Sequence, residues 1–400
     1  MTVAAWLVRR FLPRLLTMLR HMLPAANHVV VSGFPPIEGN SHEMVRALLQ
    51  RYSGRVVWIR PPAREFISKS GIDSSKLTLV SRGSLRGLYY FASASSVFFT
   101  HGLYGEPNVT ANKLTVNLWH GNGPKVTGAA FPLRTQRGLP ADLTISSTRL
   151  WGEKVNEAAK LPPNRLVVSG HPRTDAFFRP RFPPISDLGI DDVAPFVVWL
   201  PSYRTTSTSA TSASWSDSDE GAIDTQLGLQ FRHVANALAQ RGVNLVVKPH
   251  PLDSVARAVE SAILIDDSML EQTGIGLYTL LAQSAGLVSD VSSVLTDYVL
   301  LDRPIGLYFP DAKSYERGRG LFPADILNFM PGRNLLNEGQ VEAFAEEVIG
   351  NGESMKDIRG RFADRVGLNH THTAADDLLD RLSQMTNYSF AKEIRPRERI

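Results

Sequence analysis

Short runs of β-branched and aromatic residues alternate with helical patterns along most of the chain, and this alternation constrains the fold most strongly. In the first half, HVVVSG (28–33) predicts a buried strand, and a helix follows from near Asn40 or Ser41 to Arg51. Further strands are predicted over 56–60, 76–81, 96–102, 114–121, 142–147 and 165–170, and helices over 84–94 and 149–160. Buried strands separated by helices form a parallel sheet covered on both faces.

The same pattern restarts after a proline-rich stretch, Pro180–Pro195, which predicts a domain joint. Strands are predicted over 196–201, 243–251, 263–267, 286–290 and 305–311, and helices over 227–241, 276–284, 292–301, 341–349 and 374–385. We therefore expect an α/β protein with two doubly wound, Rossmann-like domains, 26–185 and 186–400, facing a cleft, with ligands at the carboxyl ends of the strands. A single large α/β domain is the alternative.

The chain has 400 residues and a formal charge of +4, but this charge is unevenly distributed. Residues 1–23 contain Arg9, Arg10, Arg14 and Arg20 and no acid, so the remaining residues carry equal numbers of basic and acidic side chains. A nucleic-acid-binding protein needs a surplus of cations on its folded body. The balanced body therefore argues against nucleic acid as a partner.

The N-terminal segment has the pattern of an amphipathic helix. At 100° per residue its apolar side chains share one arc, opposite the four arginines; they are Leu7, Val8, Phe11, Leu12, Leu15, Leu16, Met18, Leu19, Met22 and Leu23. A basic amphipathic helix lies in a membrane interface and is attracted to anionic lipid. We thus expect residues 1–25 to associate with an anionic membrane surface; a helix docked on the protein's own core, or a cleaved signal peptide, are the alternatives.

Two short motifs end predicted strands with a histidine beside a lysine. They are WHGNGPK (119–125), with His120 and Lys125, and KPHP (248–251), with Lys248 and His250. Strand ends are where an α/β sheet presents its ligand-binding groups. A lone loop histidine is more often structural, but this placement makes His120 and His250 the candidate catalytic residues.

Other strand ends carry groups suited to phosphate. The stretch SDVSSVLTD (289–297) supplies Ser289, Asp290, Ser292 and Ser293 between a predicted strand and a predicted helix. The backbone N–H groups at the start of such a helix bind phosphate; alternatively, serine there only caps the helix. Two further arginines at strand ends could clamp a phosphate or join the two halves by a salt bridge; they are Arg173 in GHPRTD and Arg204 in LPSYR.

Several common chemistries lack their motifs. The chain has no cysteine, no G-x-x-x-x-G-K-[ST] loop, no G-x-G-x-x-G after the first strand and no G-x-S-x-G elbow. It also shows no His/Asp/Glu set with metal-ligand spacing. These absences argue against P-loop NTPases, dinucleotide-dependent oxidoreductases, serine hydrolases and thiolate metal sites.

Taken in order, HGNGPK, GHPRTD, LPSYR, KPHP and SDVSSVLTDYVLLDRPIGLYFPD resemble the CDP-glycerol glycerophosphotransferases, the teichoic-acid primases and polymerases. SYERGRGLF (314–322) extends the resemblance, which covers residues 119–332. The family often has HGTPLK where this chain has HGNGPK, so the proline is displaced by one position.

The resemblance implies a GT-B arrangement and peripheral attachment to the cytoplasmic face of the membrane. We expect no cofactor. The resemblance also implies transfer of glycerol phosphate from CDP-glycerol, or a related CDP-alditol, to a hydroxyl of a lipid-linked acceptor with release of CMP. His120 matches the proposed general base, His250 a histidine assigned to the donor phosphates, and Ser292 and Ser293 the pair that holds the pyrophosphate. A GT-B glycosyltransferase that uses a nucleotide sugar is the alternative function.

Overall fold

The computed structural model describes residues 3–104, 113–125, 141–158, 161–201, 229–249 and 262–385, and side chains within them from Phe11 onward except at 158, 318 and 319. The chain divides into two compact units. Unit 1 comprises Met1–Asn122, Gln136–Arg179 and Leu368–Ile400; unit 2 comprises Gly123–Thr135 and Pro180–Gly367.

Unit 1 is built on a seven-stranded parallel sheet with the order β3-β2-β1-β4-β5-β6-β7. Its strands are β1 (Ala26–Ser32), β2 (Arg55–Ile59), β3 (Leu77–Val80), β4 (Ala94–Phe99), β5 (Leu114–Asn117), β6 (Leu143–Ser146) and β7 (Leu166–Val168). At the centre of the sheet, Val30 pairs with Val57 of β2 and with Val97 of β4. All six residues of β4 are buried, as expected where helices cover both faces of a parallel sheet.

Helices cover both faces of this sheet. They are α1 (Val3–Met22), α2 (Gly39–Arg51), α3 (Arg64–Lys69), α4 (Leu85–Ser93), α5 (Arg149–Ala158) and, from late in the chain, α13 (Ala374–Gln384). On one face Leu48 of α2 and Leu378 of α13 share a core with Trp58. On the other, Leu16 of α1 and Phe91 of α4 pack with Val30.

Unit 2 repeats the architecture with a six-stranded parallel sheet in the order β10-β9-β8-β11-β12-β13. Its strands are β8 (Phe196–Trp199), β9 (Asn244–Val247), β10 (Ala262–Leu264), β11 (Gly286–Ser289), β12 (Ile305–Leu307) and β13 (Arg333–Asn334). Its helices are α6 (229–239), α7 (Asp267–Thr273), α8 (Leu277–Gln283), α9 (Ser293–Tyr298), α10 (Ala312–Arg319), α11 (Glu338–Val348) and α12 (Lys356–Val366). Its core joins Trp199, Phe231, Leu238 and Phe344. Two doubly wound parallel sheets, as the alternation of patterns predicts, are confirmed.

The division into units differs from the expected boundary of a second domain over 186–400. Residues 368–400 belong to unit 1, because α13 buries Leu378, Leu379 and Leu382 in the core of the first sheet. The Asp175 carboxylate also accepts hydrogen bonds from the backbone N–H groups of Ala374 and Ala375, at distances of 2.6 and 2.9 Å. A short carboxylate contact thus fixes the start of this returning helix on unit 1.

The N-terminal helix α1 uses only part of its apolar arc to pack on the protein. Leu16 is buried, and Leu12 and Leu19 pack on the same core. Arg20, expected on the polar arc, is instead 1% exposed, and its guanidinium donates to the Phe91 carbonyl oxygen at 2.7 Å. The correction follows from helix geometry, because Arg20 follows Leu16 by one turn and so lies on the docked face. Burial lowers the Arg20 pKa to about 10.

Candidate functional site

The HGNGPK motif begins just after the carboxyl end of β5, where a parallel sheet presents ligand-binding groups. His120 lies here with two aromatic neighbours: its ring centroid is 4.7 Å from that of His101, in a stacked arrangement, and 4.3 Å from that of Trp119. His101 follows β4, the strand next to β5 in the sheet. The sheet order therefore brings together two histidines that are 19 positions apart in the chain.

The surroundings of His120 keep its imidazole neutral. Although part of the residue is exposed, its pKa falls to about 4, first because neighbouring protein desolvates the ring and then because His101 and Arg173 disfavour a second positive charge. The backbone of Thr100 hydrogen-bonds to the ring. One ring nitrogen is thus engaged by protein, and a neutral imidazole keeps a lone pair on the other.

The backbone on either side of His120 is held by side chains from other elements. Trp119 has a left-handed φ of +55°, and its N–H donates to the Asn117 Oδ1 at 2.9 Å. Asn40 Nδ2 donates to the Trp119 carbonyl oxygen at 3.3 Å, and an Arg173 guanidinium N–H donates to the His120 carbonyl oxygen at 2.9 Å. Such an uncommon conformation persists only where its surroundings fix it.

Asn40 connects the backbone of Trp119 with that of Arg173. Its side chain is fully buried, and its Oδ1 accepts the backbone N–H of Arg173 at 3.1 Å while its Nδ2 reaches Trp119. Glu38 caps α2 by accepting from the N–H groups of Asn40 and Ser41, each at 2.9 Å. Burial raises the Glu38 pKa, an effect opposed by these bonds and by the charge of Arg173. The sequence predicts Asn40 only as a helix start and does not identify Glu38, because glutamate is not among the residues commonly found at N-caps.

The next residues of the motif are anchored in unit 1 by Asn122. Its Oδ1 accepts from His171 Nε2 at 2.8 Å, from Ser146 Oγ at 2.7 Å and from the Ser147 N–H at 3.0 Å. Gly121 precedes it with φ of +120°, a conformation that favours glycine. His171 of GHPRTD is therefore a structural partner of the loop; it is completely buried, and burial lowers its pKa well below the usual value.

The last part of the motif belongs to unit 2, where it packs on the start of α9. A Cβ placed on Gly123 would lie 3.1 Å from Ser293 Cα and 3.3 Å from Ser293 N. The Pro124 carbonyl oxygen accepts the Phe322 N–H at 2.8 Å, and Lys125 forms an antiparallel bridge with Leu321. The glycine that replaces the family's usual proline thus lies in close backbone contact with one of the predicted phosphate-binding serines.

The other predicted donor residues of unit 2 lie at the carboxyl ends of β9 and β11. Ser292 caps α9, with its Oγ accepting the Val294 N–H at 3.4 Å, and Ser289 Oγ donates to the Leu200 carbonyl oxygen at 3.3 Å. Asp290 is buried beside them. Lys248 is ion-paired with Asp267 at 2.9 Å. The capping role of Ser292 is observed directly, and phosphate binding by these groups stays a prediction.

Two predicted site residues, Arg204 and His250, lie outside the described residues. Within the described residues, no cluster of three His, Asp or Glu side chains has the arrangement of a metal site. In the same portion of the chain, no helix combines the length and apolar character needed to cross a bilayer.

Two doubly wound parallel sheets, each with polar groups at its carboxyl edge, define a GT-B-like protein. The chain belongs to the CDP-glycerol:poly(glycerophosphate) glycerophosphotransferase family, whose model matches residues 15–383.

Named relatives agree with the family. The chain is 28% identical over 247 residues to the teichoic acid glycerol-phosphate primase of Bacillus subtilis strain 168, covering 56% of this chain and 59% of the primase. It is 41% identical over 68 residues to the teichoic acid ribitol-phosphate primase of Bacillus spizizenii, covering 17% of each chain. A solved structure of a wall teichoic acid polymerase TagF variant, soaked with CDPG, matches the fold with a TM-score of 0.67 at 15% identity over 98% of this chain and 97% of that one.

Proposed function

We propose that the protein transfers glycerol phosphate, or a related polyol phosphate, from a CDP-alditol to a hydroxyl group of a lipid-linked acceptor and releases CMP. The match of residues 15–383 to a glycerophosphotransferase family carries this proposal. The similarity to glycerol-phosphate and ribitol-phosphate primases supports a CDP-activated polyol as donor, and the solved TagF variant soaked with CDPG agrees with it.

His120 is the proposed general base. The acceptor hydroxyl loses its proton as its oxygen bonds to the β-phosphorus of the donor, while the bond from that phosphorus to the CMP oxygen breaks. A histidine must be unprotonated, and so neutral, before it can accept a proton, and the low pKa keeps His120 neutral throughout the physiological range. The hydrogen bond that the ring donates to the Thr100 backbone and the stacking against His101 orient the ring for this role.

The proposed donor side uses groups at the start of α9 and their neighbours. Charge accumulates on the transferring phosphoryl group and on CMP, so cations and hydrogen-bond donors are needed there. We assign the binding of the donor phosphates to Ser289, Asp290, Ser292 and Ser293. The same role is proposed for four cations, which are Lys125, Arg173, Arg204 and Lys248, and for the proposed catalytic residue His250. Within unit 2, Gly123 of the same motif packs closely on Ser293, which supports a role for this glycine in shaping the donor side.

We further propose that unit 1 binds the cytoplasmic face of an anionic membrane through α1 and α4, which pack against each other. From Phe11 onward, the apolar side chains of α1 that do not dock are exposed with helical spacing; they are Phe11 (54%), Leu15 (48%), Met18 (50%) and Met22 (70%). On α4, Leu85 is 85% exposed and Tyr89 58%. Exposed apolar side chains beside arginines such as Arg14 and Arg86 suit an interfacial helix pair.

The transfer is tested with the purified full chain, a lipid-linked acceptor in vesicles, and CDP-glycerol, CDP-ribitol or a UDP-sugar as donor. We expect CMP release from a CDP-alditol and its loss, by about a hundredfold or more, in His120→Ala. His370→Ala, an exposed histidine of the same unit, is the matched control and should retain activity. Release of UDP instead of CMP would favour the glycosyltransferase, and full activity of His120→Ala would remove this histidine as the base.

Membrane binding is tested by sedimentation with vesicles containing phosphatidylglycerol. Leu15→Glu combined with Met18→Glu should abolish pelleting, because two charges would enter the apolar face of α1. Val193→Glu, at an apolar residue that is 91% exposed in unit 2, should pellet as the wild type does. If the α1 variant still pelleted, membrane binding through this helix would be wrong.

A further inference from the structure

The carboxyl edge of the unit 1 sheet carries a row of cationic and imidazole groups that extends away from His120. In the strand order β3-β2-β1-β4-β5, Arg82 follows β3, Arg60 follows β2, His101 follows β4 and His120 follows β5. Phe34, after β1, lies between them: its ring is 5.1 Å from the Arg60 guanidinium carbon and 5.8 Å from the His101 ring. We call Arg82, Arg60, His101 and His120 the basic row.

Each member of the row lies close enough to the next to disfavour a positive charge on it. Burial is the largest cause that lowers the pKa of Arg60, His101 and His120, and a neighbour in the row is the second. Arg82 lowers the Arg60 pKa, Arg60 lowers the His101 pKa, and His101 lowers the His120 pKa. The two guanidinium groups stay charged, and holding them near each other at one sheet edge costs free energy. Such an arrangement is favoured when an anion binds between the charges.

Nothing anionic in the described part of the chain neutralises the two arginines. No carboxylate there forms an ion pair with Arg60 or Arg82. The Arg60 guanidinium stacks on Phe34, and Arg82 donates from Nε to the Leu103 carbonyl oxygen at 2.6 Å and lies 5.7 Å from the Tyr104 ring. Arg60 also has a left-handed φ of +61°. Rings, a carbonyl and a strained backbone thus hold two guanidinium groups that no carboxylate of the described residues neutralises.

We propose that Arg60 and Arg82 bind a phosphate or pyrophosphate group of the acceptor, a site distinct from the donor phosphates. This inference rests on the proposed function, since it names the chemistry of the acceptor that His120 activates. Three strand spacings separate β2 from β5, or roughly 14 Å. The acceptor's reacting hydroxyl and its phosphate are therefore separated by more than one sugar ring. Guanidinium groups suit this role because they bind phosphate bidentately.

The far end of the row adjoins the proposed membrane face. Arg82 precedes the first residue of α4 by three positions, and that residue is the exposed Leu85. An acceptor whose phosphate is attached to a lipid would place its lipid near α4, its phosphate on Arg82 and Arg60, and its hydroxyl at His120. The order of these groups along the sheet edge matches the order of chemical groups in a lipid-phosphate-saccharide.

The test compares two water-soluble acceptors with the full chain: a disaccharide with a pyrophosphoryl-alkyl group at its reducing end, and the same disaccharide as a simple alkyl glycoside. We expect the wild type to have a KM at least tenfold lower for the pyrophosphorylated acceptor. Arg60→Gln with Arg82→Gln should remove this advantage and raise that KM about thirtyfold or more. The KM values for the alkyl glycoside and for CDP-glycerol should stay within about twofold.

Arg64→Gln, which removes an exposed arginine from α3 of the same unit, is the matched control and should leave every constant unchanged. Equal KM values for the two acceptors in the wild type, or a loss in the double variant that is the same for both, would overturn the inference. So would a double variant that loses only pelleting with phosphatidylglycerol vesicles, because the arginines would then bind lipid headgroups. Calorimetric binding of the pyrophosphorylated acceptor, without donor, decides the question even if no transfer is seen and the proposed reaction fails.

Discussion

Asn40 offers the sharpest test of how the His120 loop is held. Its amide is fully buried and makes two hydrogen bonds, to the Trp119 carbonyl oxygen and from the Arg173 N–H. Asn40→Ala removes both and leaves a buried donor and a buried acceptor without this partner. Two lost bonds at about 1 kcal/mol each, plus the desolvation of the groups left behind, lower the free energy of unfolding by about 2–4 kcal/mol.

The effect on catalysis should exceed the effect of lost stability. Asn40 touches no reacting atom, so it is a positioning residue for His120, and displacement of a base by about 1 Å costs about a hundredfold in rate. We expect kcat to fall by between ten- and a hundredfold, while the KM for CDP-glycerol changes little. Asn40→Gln, which retains the amide, should recover part of the loss.

Asn156→Ala separates positioning from general destabilisation. Asn156 is also a buried asparagine of unit 1, and its Nδ2 donates to the carbonyl oxygens of Leu161 and Pro162 at 3.1 and 2.8 Å, but it lies on α5. Chemical denaturation and steady-state CMP release are measured for both variants well below their unfolding midpoints. A similar loss of stability with kcat lost only in Asn40→Ala supports the reasoning. Near-normal kcat in Asn40→Ala, or an equal kcat loss in Asn156→Ala, refutes it.

Three further predictions concern the same motif. Gly123→Ala puts a methyl group 3.1 Å from Ser293 Cα and should raise the KM for CDP-glycerol several-fold; an unchanged KM would show that this contact does not shape the donor side. Because a histidine base must be neutral, kcat/KM of the wild type should fall with decreasing pH only as His120 protonates near pH 4. His101→Gln should move this fall to higher pH, because it removes a charge that lowers the His120 pKa. A fall of kcat/KM centred near pH 6.5 in the wild type would contradict this prediction. The free energy of unfolding of Trp119→Gly should be about 1 kcal/mol higher than that of Trp119→Ala, since both remove the indole but only glycine accepts the left-handed φ freely. Equal stability of the two variants in denaturant titrations would show that the backbone at position 119 is not strained.

Much of the fold could be predicted because each buried strand has a local signature. Apolar runs such as those of β1 and β8 need no tertiary information to be recognised, and the helix starts at α2 and α4 follow from polar residues before apolar periodicity. Short amphipathic helices such as α3 and α7 carry too few turns for a period to emerge. The return of α13 to unit 1 depends on Asp175, far away in the chain, and no local pattern encodes it.

The candidate site shows the same limit in a sharper form. His120 follows a strand and could be identified from that position alone, whereas its neighbours come from elements that only the sheet order makes adjacent. β1 lies between β2 and β4 in space, so Arg60, Phe34 and His101 meet although each follows a different strand. One signal was available: THG after β4 and WHG after β5 end neighbouring strands in the same way, with a histidine and a glycine. Adjacent parallel strands with the same ending place the same chemistry side by side, so a strand-end dipeptide that recurs in a doubly wound sheet predicts a paired site from the sequence alone.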